Sequence, residues 1–290
     1  MSSESWTILK LIEWTRGYLE RAHVENPRLD AEVLLAHVLD LTRIQLYTSY
    51  SRVPTGEELA KFRELIKRRA AGEPTQYLTQ SSEFYSIALH VDNRVLVPRP
   101  ETELLVDVAL ACVDDRSASL AIGDLCTGSG CVAIALATSL PGAVVHAVDS
   151  SADALEVARR NVHATRLSER VRVLQGDLTG PLRDAGLLGA IDMIVSNPPY
   201  VRDSEVDSLP REVRDHEPRA ALVAGPRGTE FHERIAHESR DLLRENGPLI
   251  LEIAESQGAE VAEILKCAGF RDVKLMRDYA GRHRVASARK

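Results

Sequence analysis

Ile191-Asp192-Met193-Ile194-Val195-Ser196-Asn197-Pro198-Pro199-Tyr200 joins an apolar run to a proline-stiffened corner. The run reads as a buried strand. It sets Asn197–Tyr200 at a strand's carboxyl end, the edge where an open α/β sheet binds its ligands. Two successive prolines have no backbone N–H and a nearly fixed φ. Their carbonyls therefore point in set directions without ladder partners. Beside them stand one carboxamide, Asn197, and one aromatic ring, Tyr200. Such a corner is a rigid, acceptor-rich cup beside a flat surface, suited to a planar NH2 group. A plain Pro-Pro turn leaving a strand is the alternative, and the strand context argues against it.

Outward from this corner, strand-like and helix-like runs alternate from residue 118 onward. Strands are expected at 119–125, 144–149, 171–176, 191–196, 248–254, 271–277 and 283–288, with helices at about 130–139, 151–164, 228–245 and 256–268. Alternation of this kind implies a parallel, doubly wound sheet. Only Asp278 to Arg282 separate the last two strands, too few for a crossover, so that pair must be antiparallel. The fold class is α/β: a Rossmann-like sheet closed by an antiparallel C-terminal hairpin, the outline of class I methyltransferases by analogy of fold.

The N-terminal part reads differently. Trp6–Glu20, Asp30–Leu41 and Glu57–Ala71 carry apolar residues at helical spacing, with Pro27 and Pro54 in the loops between them. Trp6 and Trp14 are expected to pack within this helical bundle, and Lys67-Arg68-Arg69 to form a solvated, dipole-favoured C-terminal cluster. Gly72-Glu73-Pro74-Thr75 breaks the helical period. Residues Phe84 to Val91 alternate as a strand, Asp92-Asn93 is a turn signal, and Arg94 to Val97 returns, so a β-hairpin linker is expected. Pro98-Arg99-Pro100-Glu101-Thr102-Glu103 then opens a helix. The expected domains are residues 1–75 (helical, substrate-docking), 76–97 (linker) and 98–290 (the α/β domain).

Three successive strand ends carry ligand chemistry. The first runs Asp124-Leu125-Cys126-Thr127-Gly128-Ser129-Gly130 into a helix, and its glycines permit a sharp turn and close approach of a ligand. The second ends in Asp149, placed to accept bonds from ribose hydroxyls. The third ends in Gln175-Gly176-Asp177, where Asp177 can take an adenine amino group. Together they fit an adenosine-containing cofactor. The glycine loop alone also matches a dinucleotide site, and Asp149 alone also reads as a helix cap. Asn197–Tyr200 decides between them: hydride transfer needs no acceptor cup for an amino group, whereas methyl transfer to nitrogen does.

The chain has 290 residues, 44% hydrophobic and 27% charged, with a net charge of −7. That balance speaks against binding long nucleic acid through the overall field. No leader or membrane-spanning run is evident, so a cytoplasmic, monomeric protein is expected. Cys112, Cys126, Cys131 and Cys267 form no metal or disulfide pattern, and His232 and His237 do not share a helix face, so no metal is expected.

Pro98–Glu103, the Thr127–Gly130 loop, Asn197–Tyr200, His216-Glu217-Pro218, Ala220-Ala221-Leu222, Leu251-Glu252-Ile253, Gln257-Gly258 and Asp278–Arg284 together resemble the protein-(glutamine-N5) methyltransferases of the PrmC/HemK type. The resemblance runs from the helical region to the last strand. It implies S-adenosylmethionine as cofactor and the glutamine of the Gly-Gly-Gln motif of class 1 peptide chain release factors as substrate. It implies cofactor contacts at Cys126, Thr127, Gly128, Ser129, Gly130, Asp149, Asp177, Leu178 and Asn197. Glutamine would be held by Asn197, Pro198, Pro199 and Tyr200, with Arg99, Pro100 and Glu101 shaping the site and the helical domain docking the release factor. Catalysis would rest on Asn197, Pro198 and Tyr200. Cys126 stands where glycine is usual, Leu178 where an aromatic is common, and Pro226-Arg227-Gly228 where an acidic, glycine-rich turn is usual.

Three other readings compete. An adenine-N6 or related nucleic-acid amino methyltransferase would use the same cup, but must extrude a base and hold a charged backbone. A non-catalytic adaptor for release factors is opposed by the intact Asn197–Tyr200 corner and Asp149. A dehydrogenase is opposed by the lack of a nicotinamide-site signature.

Overall fold

The computed structural model describes residues 5–290. They form two units: the N-terminal helices up to Gln80 together with Pro210–His216, and the rest from Ser81 onward.

The helical unit contains α1 (Ile8–Arg21), α2 (Pro27–Leu39), α3 (Arg43–Thr48), α4 (Gly56–Ala70) and α5 (Thr75–Thr79). Ile8, Leu11, Ile12 and Leu19 of α1 meet Leu34, Leu35, Phe62 and Ile66 in one core. The start of α4 is fixed by a capping box, in which the Glu58 N–H donates to Thr55 Oγ1 and the Thr55 N–H to Glu58 Oε2. Pro27 does not lie in a loop; it is the first residue of α2, where a missing N–H costs nothing. Trp6 and Trp14 are half exposed and pack on each other edge to face, with Trp14 stacked on Tyr18 at the surface. Arg69 is not solvated either. It is buried, with Nε 2.7 Å from Asp30 Oδ2 and Nη2 2.7 Å from Glu212 Oε2. Glu212 lies in α10 (Arg211–His216), a part of this unit that no sequence signal marked.

The second unit opens with a hairpin of β1 (Ser82–Phe84) and β2 (Ile87–Leu89), turning at Tyr85-Ser86 rather than at Asp92-Asn93. Both turn residues have positive φ, 52° and 60°. A two-residue hairpin loop needs this, and Asn-Gly usually supplies it. Here Tyr-Ser does, so the usual signal is missing. The Tyr85 N–H is held by Glu103 Oε1 at 2.7 Å. Residues 94–97 form no strand.

After α6 (Glu103–Ala111) come β3 (Ala121–Leu125), α7 (Cys131–Ser139), β4 (Val144–Asp149), α8 (Ala152–Ala164), β5 (Val171–Gln175), α9 (Gly180–Asp184) and β6 (Met193–Ser196). A small parallel pair, β7 (Val201–Arg202) and β8 (Val223–Gly225), brackets α11 (Arg219–Leu222). Then follow α12 (Glu230–Ser239), β9 (Pro248–Glu252), α13 (Gly258–Cys267), β10 (Arg271–Arg277) and β11 (His283–Arg289). The seven-stranded sheet runs β10-β11-β9-β6-β3-β4-β5. Only β11 is antiparallel to its neighbours, as the short Asp278–Arg282 connection requires.

The residues of β6 and β9 are buried without exception, the mark of central parallel strands. Their side chains alternate between two cores. Met193, Val195 and Ile250 face the cluster containing α6 and α7, while Ile194, Leu249 and Leu251 face the one containing α12 and α13. The chain leaves β3 toward β4 and β5 on one side, then returns to place β6 on the other. This reversal opens a crevice at the carboxyl ends of β3 and β6, where such sheets bind ligands.

Replacing Arg69 by Met strands the buried Asp30 carboxylate. The helical unit should lose about 3 kcal/mol, measured by urea unfolding. Both tryptophans of the chain, Trp6 and Trp14, lie in that unit, so their fluorescence reports it specifically. A loss below about 1 kcal/mol would place the pair with ordinary surface bridges.

Candidate active site

The loop after β3 is a tight coil of left-handed residues. Cys126, Gly128 and Gly130 have φ of 59°, 55° and 81°. Glycine adopts this at no steric cost, while a residue with a Cβ gives up roughly 1 kcal/mol. Cys126 therefore occupies a position whose backbone favours glycine. The loop is held on every side. The Thr127 N–H donates to the Val148 carbonyl, Thr127 Oγ1 to Asp124 Oδ2 at 2.5 Å, and the Gly128 N–H to Asp149 Oδ2 at 2.9 Å. The other Asp149 oxygen accepts the Ser151 N–H at 3.0 Å. From α8, Asn161 Nδ2 donates to the Ser129 carbonyl at 2.9 Å.

At the end of β6, Ser196 Oγ donates to the Leu125 carbonyl at 2.7 Å, tying the two strand ends together. Asn197 Nδ2 donates to Thr102 Oγ1 at 3.2 Å. The Tyr200 hydroxyl reaches Glu252 Oε1 at 3.4 Å, and its carbonyl accepts Gln257 Nε2 at 2.9 Å. Among the described residues, no group donates to the Pro198 carbonyl. Arg99 Nη2 sits 2.6 and 2.7 Å from the two oxygens of the buried Glu217.

One cavity gathers most of the expected residues. Arg99, Cys126, Thr127, Gly128, Ser129, Asp149, Asp177, Leu178, Asn197 and Pro199 all line it. Gly130 does not; it caps α7. Pro198, Tyr200 and Glu101 are also outside the lining. Tyr200 is turned toward Glu252, and Glu101 lies 3.7 Å from Arg282. Asp177 is exposed and bridged to Arg234 at 2.7 Å. Leu178 is buried with φ of 45°.

Four residues had no role at the site in the sequence reading: Thr102 and Glu252, quoted only within motifs, and Asn161 and Phe231. Two had usable signals. Asn161 is a polar residue in the buried stripe of α8 with Leu155, Ala158 and Val162. Glu252 is a carboxylate ending the apolar strand Leu249-Ile250-Leu251, at the ligand edge of the sheet. Glu217, quoted above only within His216-Glu217-Pro218, is the partner of Arg99, and the next residue, Pro218, lines the cavity.

Burial dominates the electrostatics. It pushes the Asp124 carboxyl up to about 7, although the Thr127 hydroxyl and the Ala133 N–H favour its charged form. It pushes Glu252 up to about 7 against Thr102, Arg284 and Tyr200, with Glu101 adding to the rise. Burial also raises the Tyr200 phenol and the Cys126 thiol, and lifts Cys131 to about 12. Neither thiol is a nucleophile at neutral pH. Among the described residues, no cluster of three His, Cys, Asp or Glu could hold a metal, and no helix is long and apolar enough to cross a membrane.

A doubly wound sheet with a glycine loop on its first strand, an aspartate ending the second and Asn-Pro-Pro-Tyr ending the fourth defines a Rossmann-like methyltransferase. Comparisons with known proteins narrow this. Residues 10–79 match the PrmC N-terminal domain and residues 102–212 the methyltransferase small domain. The release factor glutamine methyltransferase of Rhodopirellula baltica is 44% identical over 98% of this chain and 97% of its own. That of Chlorobaculum tepidum is 45% identical over 94% of each. Among solved structures, the hMettl16 catalytic domain in complex with MAT2A 3'UTR hairpin 6 has a TM-score of 0.57 over 82% of this chain and 84% of its own. At 17% identity it shares the fold. The chain belongs to the release factor glutamine methyltransferase family.

Asp124 and Glu252 bind protons more tightly in the folded protein than in the unfolded chain, where carboxyls titrate near 4. Between about pH 4 and 7 the folded state keeps protons that the unfolded state has lost. Stability from these groups should therefore fall as pH rises across that window, by on the order of a few kcal/mol, and level off above it. Asp92, lowered to about 2 mainly by Arg94, acts below the window. Calorimetric unfolding from pH 5 to 8 checks this, and Asp124→Asn should flatten the slope. An unchanged slope in the variant would remove Asp124 as a source.

Proposed function

We propose that the protein transfers a methyl group from S-adenosylmethionine to the side-chain amide nitrogen of the glutamine in the Gly-Gly-Gln motif of class 1 release factors. One observation carries this reading. Asn197 and the Asp149–Gly128 pair line the same cavity, so an amide-binding group and an adenosine-binding edge face one space.

The residues present fit the cofactor. Asp149 keeps lone pairs for ribose hydroxyls while its loop bonds hold it in place. Leu178 and Phe231 offer apolar surface for a flat base, with the Asp177 carboxylate near them on the wall. The left-handed glycines let the loop backbone come close to a ligand. When bound, S-adenosylmethionine supplies an electrophilic methyl carbon on a sulfonium sulfur.

An amide nitrogen is a weak nucleophile because its lone pair is delocalised into the carbonyl. Asn197 Oδ1 and the unpartnered Pro198 carbonyl accept its two N–H bonds and orient it. The lone pair is then free to turn out of the amide plane. The amide becomes more acidic as the new C–N bond forms, so proton loss follows and no side chain has to act as a strong base beforehand. Catalysis is positioning and fixed electrostatics. Tyr200, with its hydroxyl on Glu252, braces the corner from behind. The helical unit docks the release factor, and the enzyme works in the cytoplasm.

The test is an incubation with labelled methyl donor and, separately, a release factor, its glutamine-substituted variant, and duplex DNA. Label should appear on the unsubstituted factor alone; label on DNA instead would transfer the assignment to a nucleic-acid amine. Asn197→Ala should lower kcat by at least about 100-fold with donor affinity kept within a few-fold. Asp149→Ala should do the reverse, weakening the donor by roughly 10- to 100-fold in calorimetry.

A further inference from the structure

Two prolines make the amide corner stiff, so its direction is decided at its ends. Pro198 and Pro199 have nearly fixed φ, and Asn197 and Pro198, each standing before a proline, are confined to extended backbone. Little rotation is left between Ser196 and Tyr200, and the direction of the Pro198 carbonyl follows from where those two residues are held. The first end is the Ser196 hydroxyl on the Leu125 carbonyl. The second is the main chain of Tyr200. Its N–H donates to the Leu222 carbonyl at 3.2 Å, and its carbonyl accepts Gln257 Nε2 at 2.9 Å.

Gln257 stands at the start of α13 and is 2% exposed. Both ends of its carboxamide are engaged. Nε2 donates a second bond to the Gly228 carbonyl at 3.0 Å, and Oε1 accepts the Ala254 N–H at 3.0 Å. The partners are main-chain groups whose roles cannot reverse, two acceptors and one donor, so only one orientation of the carboxamide satisfies them. One side chain thus joins the corner after β6, the turn before α12 and the loop after β9. The approach is close: a Cβ on Gly228 would lie 2.8 Å from both Gln257 Nε2 and the Tyr200 carbonyl oxygen, and Gly228 has a left-handed φ of 79°. The turn has a tie of its own to α13, from Thr229 Oγ1 to Glu260 Oε1 at 2.6 Å, so loss of Gln257 frees the corner more than the turn. Gln257 does not line the cavity; it acts on the corner from outside.

We infer that Gln257 is a positioning residue for the amide reaction: by holding the Tyr200 carbonyl it fixes the far end of the corner, and with it the aim of the Pro198 carbonyl at the substrate nitrogen. The inference rests on the glutamine reading above and adds to it the group that sets the corner in place.

The experiment measures release-factor labelling at pH 8, with kcat expressed per donor-binding site counted by calorimetry. A residue that only stabilises the fold would lower the number of sites and leave kcat per site unchanged. Gln257→Glu keeps the shape and the acceptor for Ala254 but removes both N–H donors. It should lower kcat per site by at least about 30-fold, since a displacement of about 1 Å at the reacting atoms suffices for about 100-fold. Donor affinity should stay within about threefold, because the glycine loop and Asp149 are held by bonds in which Gln257 has no part. Gln257→Met, of similar length and uncharged, should behave alike and decides the matter if the first variant fails to fold. The inference is overturned if either folded variant keeps kcat per site within about threefold, or if donor affinity falls as far as kcat. The parent reading fails separately, and takes this one with it, if the unaltered enzyme places no label on the release factor.

Discussion

Leu125 and Ser196 lie side by side in parallel register, and the Ser196 hydroxyl closes on the Leu125 carbonyl. At this point the sheet stops and two loops part: the glycine coil from β3 and the Asn-Pro-Pro-Tyr corner from β6. Everything functional depends on their separation at this edge. The hydrogen bond is fully buried, with Ser196 shielded from solvent, so it meets no competition from water. Both loops begin from a fixed origin, and the cavity between them is a product of strand register as much as of side chains.

Much of the α/β unit was legible because its physics is local. Central parallel strands appear as continuous apolar runs, and the five-residue gap before the last strand admits only a hairpin. The site edge was legible too, since ligand loops must follow strands. What escaped depends on contacts distant in sequence. The Tyr85-Ser86 turn carries no glycine or asparagine and is held through Glu103. Arg69 looked solvated within a run of cations, yet its partners are Asp30 and Glu212. Thr102 and Asn197 are joined across 95 positions, and no period in the chain links them. Trp6 and Trp14 were expected to pack within the helical bundle, but they pair with each other half exposed, Trp6 just before α1 and Trp14 within it.

The site also holds four departures from local preference. Cys126 and Leu178 adopt left-handed backbone without being glycine, and Asp124 and Glu252 are carboxyls without solvent. A sequence selected for stability alone would remove all four. Their concentration at one sheet edge follows the general tendency for strain and buried polarity to gather where function is needed.

The two adjacent prolines have a consequence for spectroscopy. Residues 198 and 199 carry no amide hydrogen, so a proton–nitrogen correlation map or an exchange experiment passes from Asn197 to Tyr200 in silence. The corner that grips the substrate is the part of the crevice such methods cannot see through the main chain. The Asn197 side-chain NH2, held against Thr102, contributes its own pair of signals and becomes the natural reporter of occupancy there.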